Sequence, residues 1–299
     1  MINDAHCHFF SDGFFSALAY QRGRGEKPAD LTKELGWEEP VSAERLADRW
    51  VRELDEHGVS RAAIMGSVSR DEAVIAEAVA KHPTRLAGFF MIDPGAADAV
   101  ERTRRGLGEF ALRAVCLFPA MHHVPLHDGR VYRILEVTAG YPGRAVFVHC
   151  GVLSVGVRPK LGLASRFDAR LGNPLELQPL ALAYPSIPFI VPHFGAGLFR
   201  EALMLADTCE NVFLDTSSSN RWIRYTPGLT LDAVFRTALD VAGPSRLLFG
   251  SDSSFFPRGW QKGVYDEQKR VLDGLKVSAG DQALIFGGNF ERLFVDRSS

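Results

Sequence analysis

Eight short apolar runs separated by stretches of helical periodicity constrain this chain more than any other feature. They cover residues 2–10, 62–65, 86–92, 112–118, 145–149, 187–191, 212–215 and 246–249. Most are nearly continuous in apolar character, the pattern of strands buried on both faces. Between them the spacing predicts helices over 44–57, 71–81, 96–107, 128–139, 174–184, 198–208 and 231–241, with more helix towards the C-terminus. The first of these keeps Leu46, Trp50, Val51 and Leu54 on one face, begins after Ser42 and stops at Gly58. Strand and helix alternating eight times predict an α/β fold: a single-domain, distorted (β/α)8 TIM barrel. An open doubly wound sheet is the alternative, but no Gly-x-Gly-x-x-Gly turn follows the first strand. The 299 residues suit one barrel, and no repeat, charge block or linker divides positions 1–299. Only residues 11–40, polar and glycine-containing, break the rhythm, and they read as a lid, binding loop or insertion.

A formal net charge of −2 provides no basic face for nucleic acid, so a small-molecule substrate is the expected partner. No apolar run approaches the roughly 18 residues of a membrane span, and no segment reads as a signal peptide. Cys7, Cys116, Cys150 and Cys209 have no metal-type spacing, and most lie in strand-like runs, which suggests a reducing, cytoplasmic compartment. The oligomeric state is open, a homodimer included.

In a barrel, the C-terminal ends of all strands meet at one mouth. His6 and His8 on the first run point to the same side because strand side chains alternate, and Cys7 points away. His149, His193 and Asp252 end the fifth, sixth and eighth apolar stretches, so all five side chains are expected at that mouth. Imidazoles and a carboxylate suit zinc or another divalent transition ion with a position open for water, whose pKa falls to about 7 when bound. One histidine is left over in such a set, and His193 can serve as a base.

The segments Asp4-Ala5-His6-Cys7-His8-Phe9, Val148-His149, Pro192-His193-Phe194-Gly195-Ala196-Gly197 and Leu248-Phe249-Gly250-Ser251-Asp252 resemble the amidohydrolase superfamily. They are most similar to its amidohydrolase-2 branch, which includes 2-amino-3-carboxymuconate-6-semialdehyde decarboxylase. The resemblance implies one divalent ion, with zinc expected, held by His6, His8, His149 and Asp252, and His193 as the residue that activates or orients water. Binuclear relatives often carry a bridging lysine after strand four; Leu117-Phe118-Pro119-Ala120-Met121 has none, so a single ion is expected. The first strand is also unlike the Glu-x-His of resorcylate-type decarboxylases.

Two functions share this site. One is a metal-dependent hydrolase acting with metal-activated water on a small amide, lactone or related bond; the other is a non-oxidative decarboxylase of an aromatic or unsaturated acid. Arg158, Trp222 and Arg258, in loops after strands five, seven and eight, are the candidate substrate-binding residues, because arginine pairs bidentately with carboxylates. Lys160, Arg166, Arg170, Arg221, His122 and His123 are weaker candidates. Asp215, ending the seventh run, is a candidate to orient a ligand histidine.

Overall fold

The computed structural model describes residues 1–256 and 258–295, and in it every one of the eight apolar runs contributes a strand. These are β1 (Asn3–Phe9), β2 (Arg61–Gly66), β3 (Leu86–Met91), β4 (Ala114–Leu117), β5 (Ala145–Val148), β6 (Phe189–Val191), β7 (Val212–Asp215) and β8 (Leu247–Leu248). All neighbours pair in parallel and in sequence order. The ends of the sheet meet: Ala5 N donates to Phe249 O (2.8 Å), His8 N to Ser253 O (2.7 Å), and Cys7 bridges Ser253. The protein is thus a single-domain TIM barrel. Positions 257 and 296–299 lie outside the described residues.

Alternation along each strand separates two layers. Ala63, Met65, Phe89, Cys116, Phe147, Ile190 and Leu248 fill the barrel. Their neighbours Ile64, Phe90, Val115, Val146, Phe189 and Leu214 pack outward on the helices, as does Cys7. Burying one such side chain stabilises the fold by about 1.5–3 kcal/mol, which fixes the register, because a slip of one residue would exchange the layers.

The helices are α1 (Asp12–Arg22), α2 (Pro28–Leu35), α3 (Ala43–Glu56), α4 (Glu72–Lys81), α5 (Ala99–Leu107), α6 (Pro119–His122), α7 (Gly129–Ala139), α8 (Val157–Lys160), α9 (Gln178–Ala183), α10 (Phe199–Thr208), α11 (Leu231–Ala242), α12 (Lys262–Gly274), α13 (Ala279–Ala283) and α14 (Asn289–Phe294). Phe290 and Phe294 of α14 join the inner core, and Asn3 at the start of β1 donates to Glu291 (2.8 Å), so α14 closes the end away from the mouth.

Three expectations need correcting. Residues 11–40 are largely helical: Ser11 caps α1 by accepting from Phe14 N (3.1 Å), and Phe14, Phe15 and Leu18 are buried with Leu31 of α2. The predicted helix over 174–184 opens with a 3-10 turn, Pro174–Leu177, before α9. Strand eight is only two residues long rather than the four of the run 246–249; Asp252 lies in the loop that follows, and His193 in a 3-10 turn after β6, beyond the ends of their runs as read.

Candidate metal centre

Close backbone contacts bring the mouth together. A Cβ on Gly250 would lie 2.8 Å from His6 Cβ and 3.0 Å from Asp215 Oδ1, so only glycine lets β8 pass so near β1 and β7. At Gly151, with φ +75°, a Cβ would lie 2.1 Å from Gly195 O, so glycine also permits the approach of the loops carrying His149 and His193. His193, Phe194 and Asp252 have φ of 55°, 51° and 58°, left-handed conformations that are uncommon away from glycine. Such conformations cluster at functional sites, where surrounding contacts hold them.

Hydrogen-bond partners decide which ring nitrogens are free. His6 Nδ1 lies 2.6 Å from Asp215 Oδ2, a pure acceptor, so Nδ1–H donates and Nε2 keeps its lone pair. Ser67 Oγ donates to Met65 O (3.2 Å) and therefore accepts from His8 Nδ1 (2.9 Å), which frees His8 Nε2 in the same way. His8 Nε2 and His6 Nε2 lie 3.2 and 3.8 Å from Asp252 Oδ1. Two lone pairs and a carboxylate oxygen converging at these distances repel one another unless a cation, or a second proton on one of the rings, lies among them. The donor set thus fits a divalent ion. His6, His8 and Asp252 form such a group, with donor atoms within 4.8 Å of one another, and His149 lies outside it.

His149 and His193 flank the group. The His193 ring is 5.0 Å from that of His6 and 5.4 Å from that of His149, centroid to centroid. His193 Nδ1 contacts Ser217 Oγ (2.8 Å) and the Ser217 carbonyl (3.3 Å); the carbonyl can only accept, so neutral His193 carries its proton on Nδ1 and keeps a lone pair on Nε2. His149 stacks on Phe118, and its buried Nδ1 has no hydrogen-bond partner. Burial lowers the pKa of both rings, reinforced at His149 by His193 and His6, so both are neutral at pH 7. At His6, burial acts in the same direction but is outweighed by Asp215, Asp252 and Asp4, and the pKa rises. Burial opposes the charge on Asp252; the close His8 ring and the nearby His193 and His6 nevertheless hold its pKa far below the usual carboxylate range.

The pattern of the amidohydrolase family (Amidohydro_2) matches residues 4–295, nearly the whole barrel and every group just described. The chain belongs to the amidohydrolase family. Its barrel is similar to 5-carboxyvanillate decarboxylase LigW from Sphingomonas paucimobilis, with a TM-score of 0.66 at 16% identity over 98% of both chains. It is also similar to an amidohydrolase from Burkholderia multivorans with bound zinc, at 0.61 and 16% over 98% of both chains. At such identities the likeness establishes the fold. In sequence it resembles 2-keto-4-carboxy-3-hexenedioate hydratase from Sphingobium, 32% identical over 125 residues, a match that spans 37% of this chain and 34% of that relative.

Within this amidohydrolase barrel, a pocket of about 310 Å³ lies over His6, His8, His149, His193 and Asp252. Phe10, Phe14, Trp37, Phe118 and Phe255 make it largely aromatic, and Lys160 and Arg258 are its cations. Arg258 stacks 4.7 Å from the Phe255 ring and donates to Ser254 Oγ (2.6 Å). The other arginine and histidine candidates lie elsewhere. Arg158, Arg166, His122 and His123 line an adjoining cavity. Trp222 and Arg221 line a third, which reaches His149, His193 and Asp252 from the β7 side; the Trp222 indole donates to Asn220 Oδ1 (3.0 Å). Arg170 is exposed and paired with Asp168 (2.7 Å).

Asp215 stands where its strand-end position suggested. Sequence reasoning missed Ser67 and Ser217, whose only signal is their place in loops at strand ends. It also missed Asp4, which accepts from His6 N, Ser251 N and the Trp260 indole (2.9, 3.1 and 2.7 Å) and so joins β1 to the loop bearing Asp252. Among the described residues, no helix is long and apolar enough to cross a membrane.

Proposed function

We propose that this chain is a metal-dependent hydrolase that adds water across a small-molecule amide, lactone or related bond. The observation that carries the reading is the convergence of the free nitrogens of His6 and His8 on Asp252, with the unprotonated Nε2 of His193 in the same pocket. His6, His8 and Asp252 hold the ion, and His149 is assigned the fourth position because its buried nitrogen lacks a partner. A divalent ion there, which we take to be a single zinc, supplies Lewis acidity that makes water a usable nucleophile near neutral pH. His193 Nε2 accepts the water's proton, and Ser217 holds the ring in that tautomer. The aromatic wall excludes solvent, and Arg258 pairs with a substrate carboxylate.

His193→Asn is expected to keep its metal but lose about 10²- to 10⁴-fold in kcat on the best of a panel of amides and lactones. Full activity in the metal-loaded variant would rule out the role of base, and parallel loss of metal would make His193 a ligand.

Decarboxylation is the second reading, favoured by an aromatic pocket with Arg258 and Lys160 as its cations, a setting suited to an aromatic acid. Carbon dioxide release measured against hydrolysis over carboxylated aromatics, esters and amides separates the two.

A further inference from the structure

A larger cavity, about 590 Å³, lies beside the metal pocket and shares Phe14, Ser67, Met91, Met121 and Val155 with it. Helix α1 lines it through Ala17, Leu18 and Gln21.

The charge around the cavity says which ligand. Arg158 and Arg166 are its cations, against a single lining carboxylate, Asp93, whose Oδ1 already accepts from Gly95 N (2.8 Å); His122 also lines it, its pKa lowered by burial. The Arg158 guanidinium is fixed in place, donating to Gln21 Oε1 (2.6 Å) and Ala164 O (2.7 Å). A held guanidinium loses little entropy when it meets an anion. The shared walls between this end and the metal centre are mostly apolar.

We propose that this cavity is a second substrate compartment, which binds a carboxylate at the far end of an extended, apolar-bodied substrate whose reacting bond lies at His6, His8 and Asp252. The inference rests on the proposed substrate pocket and adds the substrate's length and its distal charge.

The test is calorimetric binding to the zinc-loaded protein of two matched pairs of probes. These are naphthalene-2,6-dicarboxylate against 2-naphthoate, and biphenyl-4,4′-dicarboxylate against biphenyl-4-carboxylate. In at least one pair the dicarboxylate is expected to bind about tenfold or more tightly. Arg166→Gln should remove that preference by weakening the dicarboxylate alone. Ala17→Phe, which narrows only the larger cavity, should do the same without touching a charge. Equal affinities in both pairs, or variants that weaken both acids alike at unchanged zinc content, would overturn the proposal. Because binding is read rather than turnover, an inactive enzyme that keeps the preference counts against the hydrolase reading and not against this compartment.

Discussion

His6 depends on Asp215 for the choice of its free nitrogen. The 2.6 Å bond fixes the proton on Nδ1, and Ser217 Oγ lies a further 3.0 Å from the same atom. Asp215→Asn puts a neutral amide there, which can donate as well as accept, so the opposite tautomer becomes accessible and Nε2 is no longer reserved for the ion. Zinc affinity, measured by competition with a chelator, is expected to fall about 10- to 100-fold with the fold retained. Cys7 sits between the two proposed ligand histidines in sequence, yet it packs in the outer layer with its sulfur 4.0 Å from Ser251 Oγ. Cys7→Ser should therefore leave zinc affinity within a factor of about two or three, a contrast that tests the facing of β1 directly. Loss of zinc in the serine variant with intact circular dichroism would mean that β1 is rotated.

At the scale of elements, the barrel was legible because strands buried on both faces produce continuous apolar runs and the intervening helices carry their own stops. Helices α1 and α2 were not, because Gly23 and Gly36, both with φ near 68°, are their C-terminal caps rather than loop residues. His6, His8 and Asp252 could be placed from alternation and strand ends. Ser67 and Ser217 could not, since a loop serine has no chemical signature and their histidine partners are distant in sequence, 59 positions for Ser67 and 24 and 211 for Ser217. One contact seats α1 at the mouth: the Ser11 hydroxyl donates to Asp71, at the start of α4, and a Cβ on Gly13 would lie 2.6 Å from that carboxylate. Burial pushes the Asp71 pKa up to about 6 against the lowering effect of Ser11, and the Glu72 and Asp12 charges add to the rise. The folded state therefore holds a proton that the unfolded chain, near 3.8, releases, so this group's contribution to stability declines between about pH 4 and 6 and is level above. Asp71→Asn keeps an acceptor for Ser11 and removes the charge. It is expected to be more stable than the parent by about 1–2 kcal/mol at pH 7.5, after discounting for partial solvent access, with the difference closing by pH 4. Urea unfolding at both pH values checks this; a difference that does not change with pH would show that Asp71 ionises normally.

For the molecule as a whole, the position of the proposed metal centre on the barrel's seam matters as much as the residues assigned to it. The ring closes between β1 and the two-residue β8, and beyond Leu248 the closure depends on single backbone bonds: Ala5 N to Phe249 O, His8 N to Ser253 O, and Asp252 N to His6 O (2.9 Å). His6 and His8 lie on one side of that seam and Asp252 on the other, so an ion held by all three ties the first strand to the last. A ligand present at about 100 times its Kd adds about 2.7 kcal/mol to the folded state. In a chain of this size that corresponds to a fall of about 4 °C in Tm when the ion is stripped with a chelator. The loss should be local as well as global. Hydrogen exchange at the amides of His8 and Asp252 is expected to accelerate more than at Val146 or Phe189, which sit in the β5 to β6 pairing away from the seam. His6→Ala should show the faster seam exchange from the outset and no further change with chelator, because the tie is already broken. Exchange that rises evenly around all eight strands on stripping the metal would show that the ion stabilises the barrel without acting through its closure.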